Sequence, residues 1–446
     1  MPRVRRLLRA ALGRSRPVIF LHIGAMKTGT TFLQHLMHTN RESLLAAGYL
    51  IPGDRTEQGR ATRDILGTAD KTPERQAQCE GVWDELSARM MAHKGDASIF
   101  SMEFLSFADG DQAARVVSSL EGAEVHVILT VRDATSALPS QWQTSSRNGG
   151  TAAWPRFVGS VRRGVRGKGP PRGQGARTFL RAQGIPRMLD AWGSAVPPRR
   201  FHVITVPRSR SDPMLLWKRF ASVVGVDPAV CSIGTQRSNP SLGQPSAELI
   251  RRINVRMGKL PGSEYSPTLK AELASRILTV RAPLEYSPQL DRRTRRFALR
   301  WNHRVRRAIR ASGAHLVGEL ADLPHRLPEE IVRSLPTRLV TPPDEELLAP
   351  AATARDGLVA LIRRRELHLE VAGVPETPAA LDDKGLPTTT GRWDAAADPV
   401  DAAIDELISL LRVAIELYKK VDAAPRLPPE AAERMAWEKA AASLTR

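Results

Sequence analysis

Cysteine is almost missing from this 446-residue chain: there are two, Cys79 and Cys231, without the paired spacing of a metal site. A disulfide scaffold is excluded, and a reducing, cytoplasmic setting is expected. Aromatic residues make up only 5%, too few for the stacking platforms that hold single-stranded nucleic acid. No nucleic-acid motif is present either, so no specific nucleic-acid partner is expected. No apolar run approaches the roughly 18 residues of a membrane span. A loop closing in Gly-Lys-Ser/Thr, which a nucleotide triphosphatase needs, is also absent.

Positive charge, by contrast, is in excess. Lys and Arg number 66 against 47 Asp and Glu, a net charge of +19. Anionic partners follow from such a balance: acidic small molecules, an acidic membrane face, or nucleic acid. Residues 1–16 hold Arg3, Arg5, Arg6, Arg9, Arg14 and Arg16 and no acid. They form a basic N-terminal arm, suited to weak peripheral contact at the inner membrane face or simply frayed.

The chain is organised around residues 18–34. Residues 18–23 are an apolar run of the kind that makes a buried parallel strand. Gly24 and Gly29 bracket a tight loop, and Thr30 and Thr31 open a helix with Phe32, Leu33, Leu36 and Met37 on its apolar face. Strand, glycine loop and helix N-terminus together make a phosphate cradle, because loop amides and the helix dipole converge on one point. The lysine stands inside the loop, at Lys27, rather than after the second glycine. An ordinary strand–turn–helix would read the same way, so a second motif has to decide.

That motif lies at 125–133. Residues 125–131 are a β-branched strand, Arg132 and Asp133 follow its end, and Ser140 comes eight residues after Arg132 in a helical stretch. A guanidinium fork and a hydroxyl are both sensible phosphate donors. Asp133 follows the arginine, outside the apolar run, which argues against a magnesium-binding acid. Lys27-Thr28-Gly29-Thr30-Thr31, followed in order by Arg132 and Ser140, resembles the sulfotransferases that use 3′-phosphoadenosine 5′-phosphosulfate (PAPS). The resemblance covers residues 17–245 and thins beyond them.

The resemblance implies an α/β fold, with a mostly parallel sheet of about five strands and helices on both faces. It implies that Lys27 clamps the sulfuryl group and that Thr28, Gly29, Thr30 and Thr31 hold the 5′-phosphate. Phe32 matches a position that often carries an aromatic against adenine. Arg132 and Ser140 would hold the 3′-phosphate. Arg237, Asn239 and Ser241 match a late phosphate-binding loop by position only, and the family's late GxxGxWK pattern is absent. Glu103, after a strand at 97–101, matches the general base; His22 is the other candidate, otherwise a packed core residue. PAPS is then the co-substrate, with no metal expected. The acceptor is a carbohydrate, glycolipid or other small molecule with a hydroxyl or amine. A P-loop kinase or nucleotide hydrolase is the alternative, and a mere anion-binding surface a third.

Three stretches fit no motif. Residues 149–176, rich in Gly, Pro and Arg, read as a mobile loop. Residues 290–311 read as a strongly basic helix with an apolar seam. Residues 341–446 read as a proline-broken linker and a helical extension, with helices at 402–420 and 430–442. The expected division is an arm at 1–16, one catalytic domain at 17–340 and the extension. Oligomeric state is not legible.

Overall fold

A computed structural model describes residues 16–68, 72–165, 171, 173–208, 211–233, 241–374 and 388–425. The arm at 1–15 and the helix expected at 430–442 lie outside them. Six strands are described: β1 (Val18–Gly24), β2 (Tyr49–Leu50), β3 (Ala97–Ser101), β4 (Glu124–Val131), β5 (Phe201–Thr205) and β6 (His315–Val317). They form one sheet in the order β2-β3-β1-β4-β5-β6, and every pairing is parallel. The fold class is α/β, as the strand pattern implies, with one strand more than the expected five.

The chain leaves β1 toward β2, on one side, while β3, β4 and β5 all lead to the other. Right-handed crossovers send those connections to opposite faces. The carboxyl end of β1 is therefore a topological switch point, the usual place for a ligand crevice in an open α/β sheet. Helix α1 (Thr30–Thr39) covers one face there. Its Leu33, Leu36 and Met37 pack on Val18 and Phe20 of β1, together with Leu216, Trp217 and Phe220 from residues 215–224.

The described residues fall into two compact units. One takes its residues from 1–141, 158–238 and 290–338 and contains the sheet; the other takes them from 142–157, 239–289 and 339–446. The units interleave along the chain, whereas the expected division is sequential: an arm at 1–16, one domain at 17–340 and an extension from 341. The second unit is helical. Its two longest helices, Leu348–Val371 and Pro399–Ala423, are tied by Arg355, whose Nε donates to Glu406 at 2.7 Å.

Several stretches differ from expectation. Residues 149–176 are not a loop throughout, because Trp154–Gly164 is a helix. Its Trp154, Phe157, Val158 and Val161 are buried at helical spacing, and arginine is a good helix former on the outer side. Helix α2 (Arg55–Ile65), for which the sequence offers no apolar motif, is started by an Asp54–Glu57 capping box. The supposed linker after 341 contains the 24-residue helix Leu348–Val371, whose Pro350 falls in the first turn, where proline is tolerated. The basic helix runs Arg292–Ser312. Phe297, Trp301 and Val305 are buried, and Arg293, Arg296, Arg300, Arg304 and Arg307 form its solvated side.

Two buried histidines make the sheet sensitive to acid. His22 Nδ1 lies 2.7 Å from Ser101 Oγ and its Nε2 lies 3.4 Å from Thr130 Oγ1, so it links β1 to both neighbours. Burial pushes its pKa down to about 3. His202 sits between His126 at 2.9 Å and His315 at 3.2 Å; burial, then the two neighbouring imidazoles, push it down to about 4. Unfolded imidazoles titrate near 6.5, so the unfolded chain takes up protons first as the pH falls. The stability from these neutral rings is present above about pH 6.5 and lost as the pH drops toward the folded values. Each should remove about 2 kcal/mol between pH 7 and pH 5, measured as a lower urea midpoint. His202→Gln should remove roughly half of that fall. A midpoint that does not move between the two pH values would show that these rings are not held neutral by the fold.

Candidate active site

The loop after β1 is held from below by one threonine. Thr130 Oγ1 of β4 donates to Gly24 O at 2.9 Å and lies 2.5 Å from Thr28 Oγ1. Ala25 N donates to Thr130 O at 3.0 Å. A hydroxyl has one proton. With that proton on Gly24 O, Thr130 Oγ1 can only accept from His22 Nε2, which makes His22 the Nε2–H tautomer accepting at Nδ1 from Ser101, while the Thr28 hydroxyl gives its own proton to Ala25 O at 2.5 Å. That hydroxyl is fully buried and so points into the loop's own interior. What Thr28 can offer a ligand is its backbone N–H.

Two glycines let the loop fit. Gly24 has φ +105°, and a Cβ there would stand 3.1 Å from the Cβ of Glu103. Gly29, at φ +85°, heads α1, and a Cβ there would meet Leu216 at 2.5 Å. Lys27 has φ +62°, a left-handed conformation uncommon outside glycine. Its carbonyl accepts from Arg132 Nη1 at 3.3 Å. The structure thus brings the two sequence motifs together: the arginine that follows β4 grips the backbone of the loop lysine. Helix α1 has no side-chain cap and no acid in its first turn, so its leading amides and dipole face outward with nothing negative of their own.

Glu103 opens the turn Glu103–Phe107 after β3 and is half-buried. Gln34, fully buried on α1, donates from Nε2 to Glu103 Oε2 at 2.7 Å and to Ser101 O at 3.0 Å. Both partners are acceptors, which fixes the amide orientation. Its own Oε1 is buried with no partner. His22 has both ring nitrogens engaged within the sheet and matches the packed-core reading.

The remaining residues separate clearly. Thr30 is buried, Thr31 is exposed, and Phe32 is half-buried against the hydrophobic cluster under α1. Ser140 is half-buried on helix Ala134–Arg147. Asp133 is buried and heads that helix, accepting from Thr135 N at 2.9 Å and Asn302 Nδ2 at 2.7 Å. Ser241 is exposed and belongs to the second unit, and Arg237 and Asn239 lie outside the described residues. The sequence reading missed Gln34, Thr130 and Asn302. Gln34 had a signal, a lone amide on the apolar face of α1. Thr130 had none, since a β-branched residue inside a strand ordinarily means packing.

Among the described residues, no cluster of His, Cys, Asp and Glu is arranged to hold a metal, and no helix is long and apolar enough to cross a membrane. No family model matches the chain, and no curated protein does. Among solved structures, a sulfotransferase from Alicyclobacillus acidocaldarius is similar at 15% identity over 51% of this chain and 88% of that one, with a TM-score of 0.35. The α/β assignment rests on the strand order and takes nothing from that likeness.

Thr130→Val keeps the shape of the anchor and removes its hydroxyl. Gly24 O and His22 Nε2 then lose a partner, while Thr28 Oγ1 keeps Ala25 O; each buried orphan costs about 1–3 kcal/mol. The urea midpoint should fall accordingly, while Thr130→Ser stays near wild type. Equal midpoints for the valine and serine variants would remove the anchoring role.

Proposed function

We propose that this chain is a sulfotransferase that moves the sulfuryl group of PAPS to an acceptor hydroxyl or amine. The observation that carries this reading is the contact of Arg132 with the carbonyl of Lys27, which unites two motifs about 100 positions apart in the sequence. The cradle fits an anionic nucleotide. The leading amides of α1, Lys27 and Arg132 supply positive potential, and Asp133, next to Arg132 in the chain, is occupied in capping. PAPS when bound supplies an activated sulfuryl group. Lys27 and the amides of 28–31 hold its 5′ end, Arg132 and Ser140 its 3′-phosphate. Glu103 takes the acceptor proton, with Gln34 fixing one carboxylate oxygen. Most of the rate then comes from positioning and charge stabilisation.

Nucleotide choice tests the reading without an acceptor. Calorimetry should show adenosine 3′,5′-diphosphate binding about 10- to 150-fold tighter than AMP, the worth of one charge-assisted contact, and ahead of ATP with magnesium. Chelating metal should not change this, and Arg132→Ala should collapse the preference. A preference for ATP with magnesium would overturn the proposal in favour of a kinase.

Turnover separates the roles of the two polar side chains at the base. Glu103→Gln should lower kcat by about 10²- to 10⁴-fold with nucleotide affinity unchanged. Gln34→Leu should lower it only about two- to tenfold, the loss of one positioning hydrogen bond. If Glu103→Gln turns over like wild type, the base lies elsewhere.

A further inference from the structure

The turn that begins at Glu103 carries side chains that the proposed reaction leaves unused. Glu103–Phe107 is a 3-10 helix, in which side chains three apart eclipse one another. Phe104 and Phe107 accordingly stack, with centroids 5.7 Å apart and planes 25° from parallel. A guanidinium lies over each ring: Arg181 is 4.1 Å from the Phe107 centroid, and Arg63 is 5.9 Å from that of Phe104. Arg63 comes from α2 and Arg181 from the helix Gln174–Gln183. Both arginines are exposed and both rings are half-buried.

This group is tied to the candidate active site. Gln183, buried two residues beyond Arg181, donates from its amide to Met26 O in the lysine loop. Arg187 donates to Ser106 O at 2.6 Å and to Ala108 O at 2.8 Å, at the far end of the Glu103 turn. The lysine loop, the Glu103 carboxylate and Arg181 therefore share one hydrogen-bonded frame. Arg187 also shows what an arginine serving structure looks like here: its two terminal nitrogens donate to the carbonyls of Ser106, Phe107 and Ala108. Arg63 and Arg181 differ. A guanidinium laid on a ring keeps its N–H groups in its own plane, where they can meet a ligand, and the ring limits the freedom it would lose on binding.

We infer that Arg63 and Arg181 form an anion clamp beside Glu103, so that the acceptor is a hydroxyl compound bearing a carboxylate or sulfate. The inference rests on the sulfotransferase reading, from which Glu103 takes its role. It narrows the acceptor from any hydroxyl or amine to an acidic one.

The test uses the full chain and two matched pairs of probes: methyl β-D-glucuronide against methyl β-D-glucoside, and 4-hydroxyphenylacetate against 4-hydroxyphenylacetamide. Binding is read by saturation-transfer NMR titration with and without adenosine 3′,5′-diphosphate, so no turnover is needed. The acid of at least one pair should bind about fivefold or more tighter than its neutral partner, as expected of a partly exposed ion pair. Which pair responds tells a sugar acceptor from an aryl one. Arg63→Gln and Arg181→Gln, both surface changes, should erase the preference and leave nucleotide affinity unchanged. Equal binding within both pairs, no binding of any probe, or a preference that survives both substitutions overturns the clamp. Nucleotide affinity, measured on the same samples, reports separately on the sulfotransferase reading: the clamp can fail while the nucleotide binds, and the nucleotide can fail while the acid preference persists.

Discussion

The cradle depends on one hydroxyl. Thr130 joins the end of β1, the loop after it and the imidazole of His22 through a single oxygen. A strand holds its register by backbone hydrogen bonds, but a loop that leaves the sheet has no ladder to keep it in place. Here the neighbouring strand supplies the anchor from its side chain. The pairing of β1 with β4 shifts register between His22 and Gly24, and this is where the Thr130 hydroxyl reaches the Gly24 carbonyl. Lys27 can then stand in a left-handed conformation because both sides of its loop are fixed, by Thr130 below and by Arg132 at its carbonyl.

Much of this was open to reading from the residues. The mainly apolar runs at 18–23, 97–101 and 125–131 place three adjacent strands, because a strand buried on both faces is apolar along most of its length. Gly24 and Gly29 were legible as well, as positions where the backbone turns with positive φ. Helices were harder. Trp154–Gly164 and Leu348–Val371 lie among prolines, glycines and arginines, and composition over a window hides a spacing of three and four. The polar contacts that shape the site were hardest. Gln34 to Glu103, Thr130 to Gly24 and Asn302 to Asp133 span 69, 106 and 169 positions. No local pattern encodes a partner so far away; only the fold brings them together.

Charge is also arranged differently from what the total suggests. The excess of arginine is not spread evenly. Part of it lies on the solvated side of Arg292–Ser312, part is buried and paired as Arg355 is with Glu406, and part ends on backbone carbonyls as Arg187 does. A net charge of +19 therefore says little about any one site until each guanidinium has been followed to its partner.

The interleaving of the two units has a consequence for synthesis. The sheet is finished only by His315–Val317, which covers the outer side of β5. Thr205 ends β5 about 110 residues earlier, and a ribosome adds about 5–20 residues per second. For roughly 5–20 seconds, then, a nascent chain holds β5 as an uncovered edge of a parallel sheet, the kind of edge that invites pairing with another chain. Asp133 waits over the same interval, since Asn302 has not yet emerged to donate to it. The growing chain thus offers the outer edge of β5 to misassembly midway through its own translation.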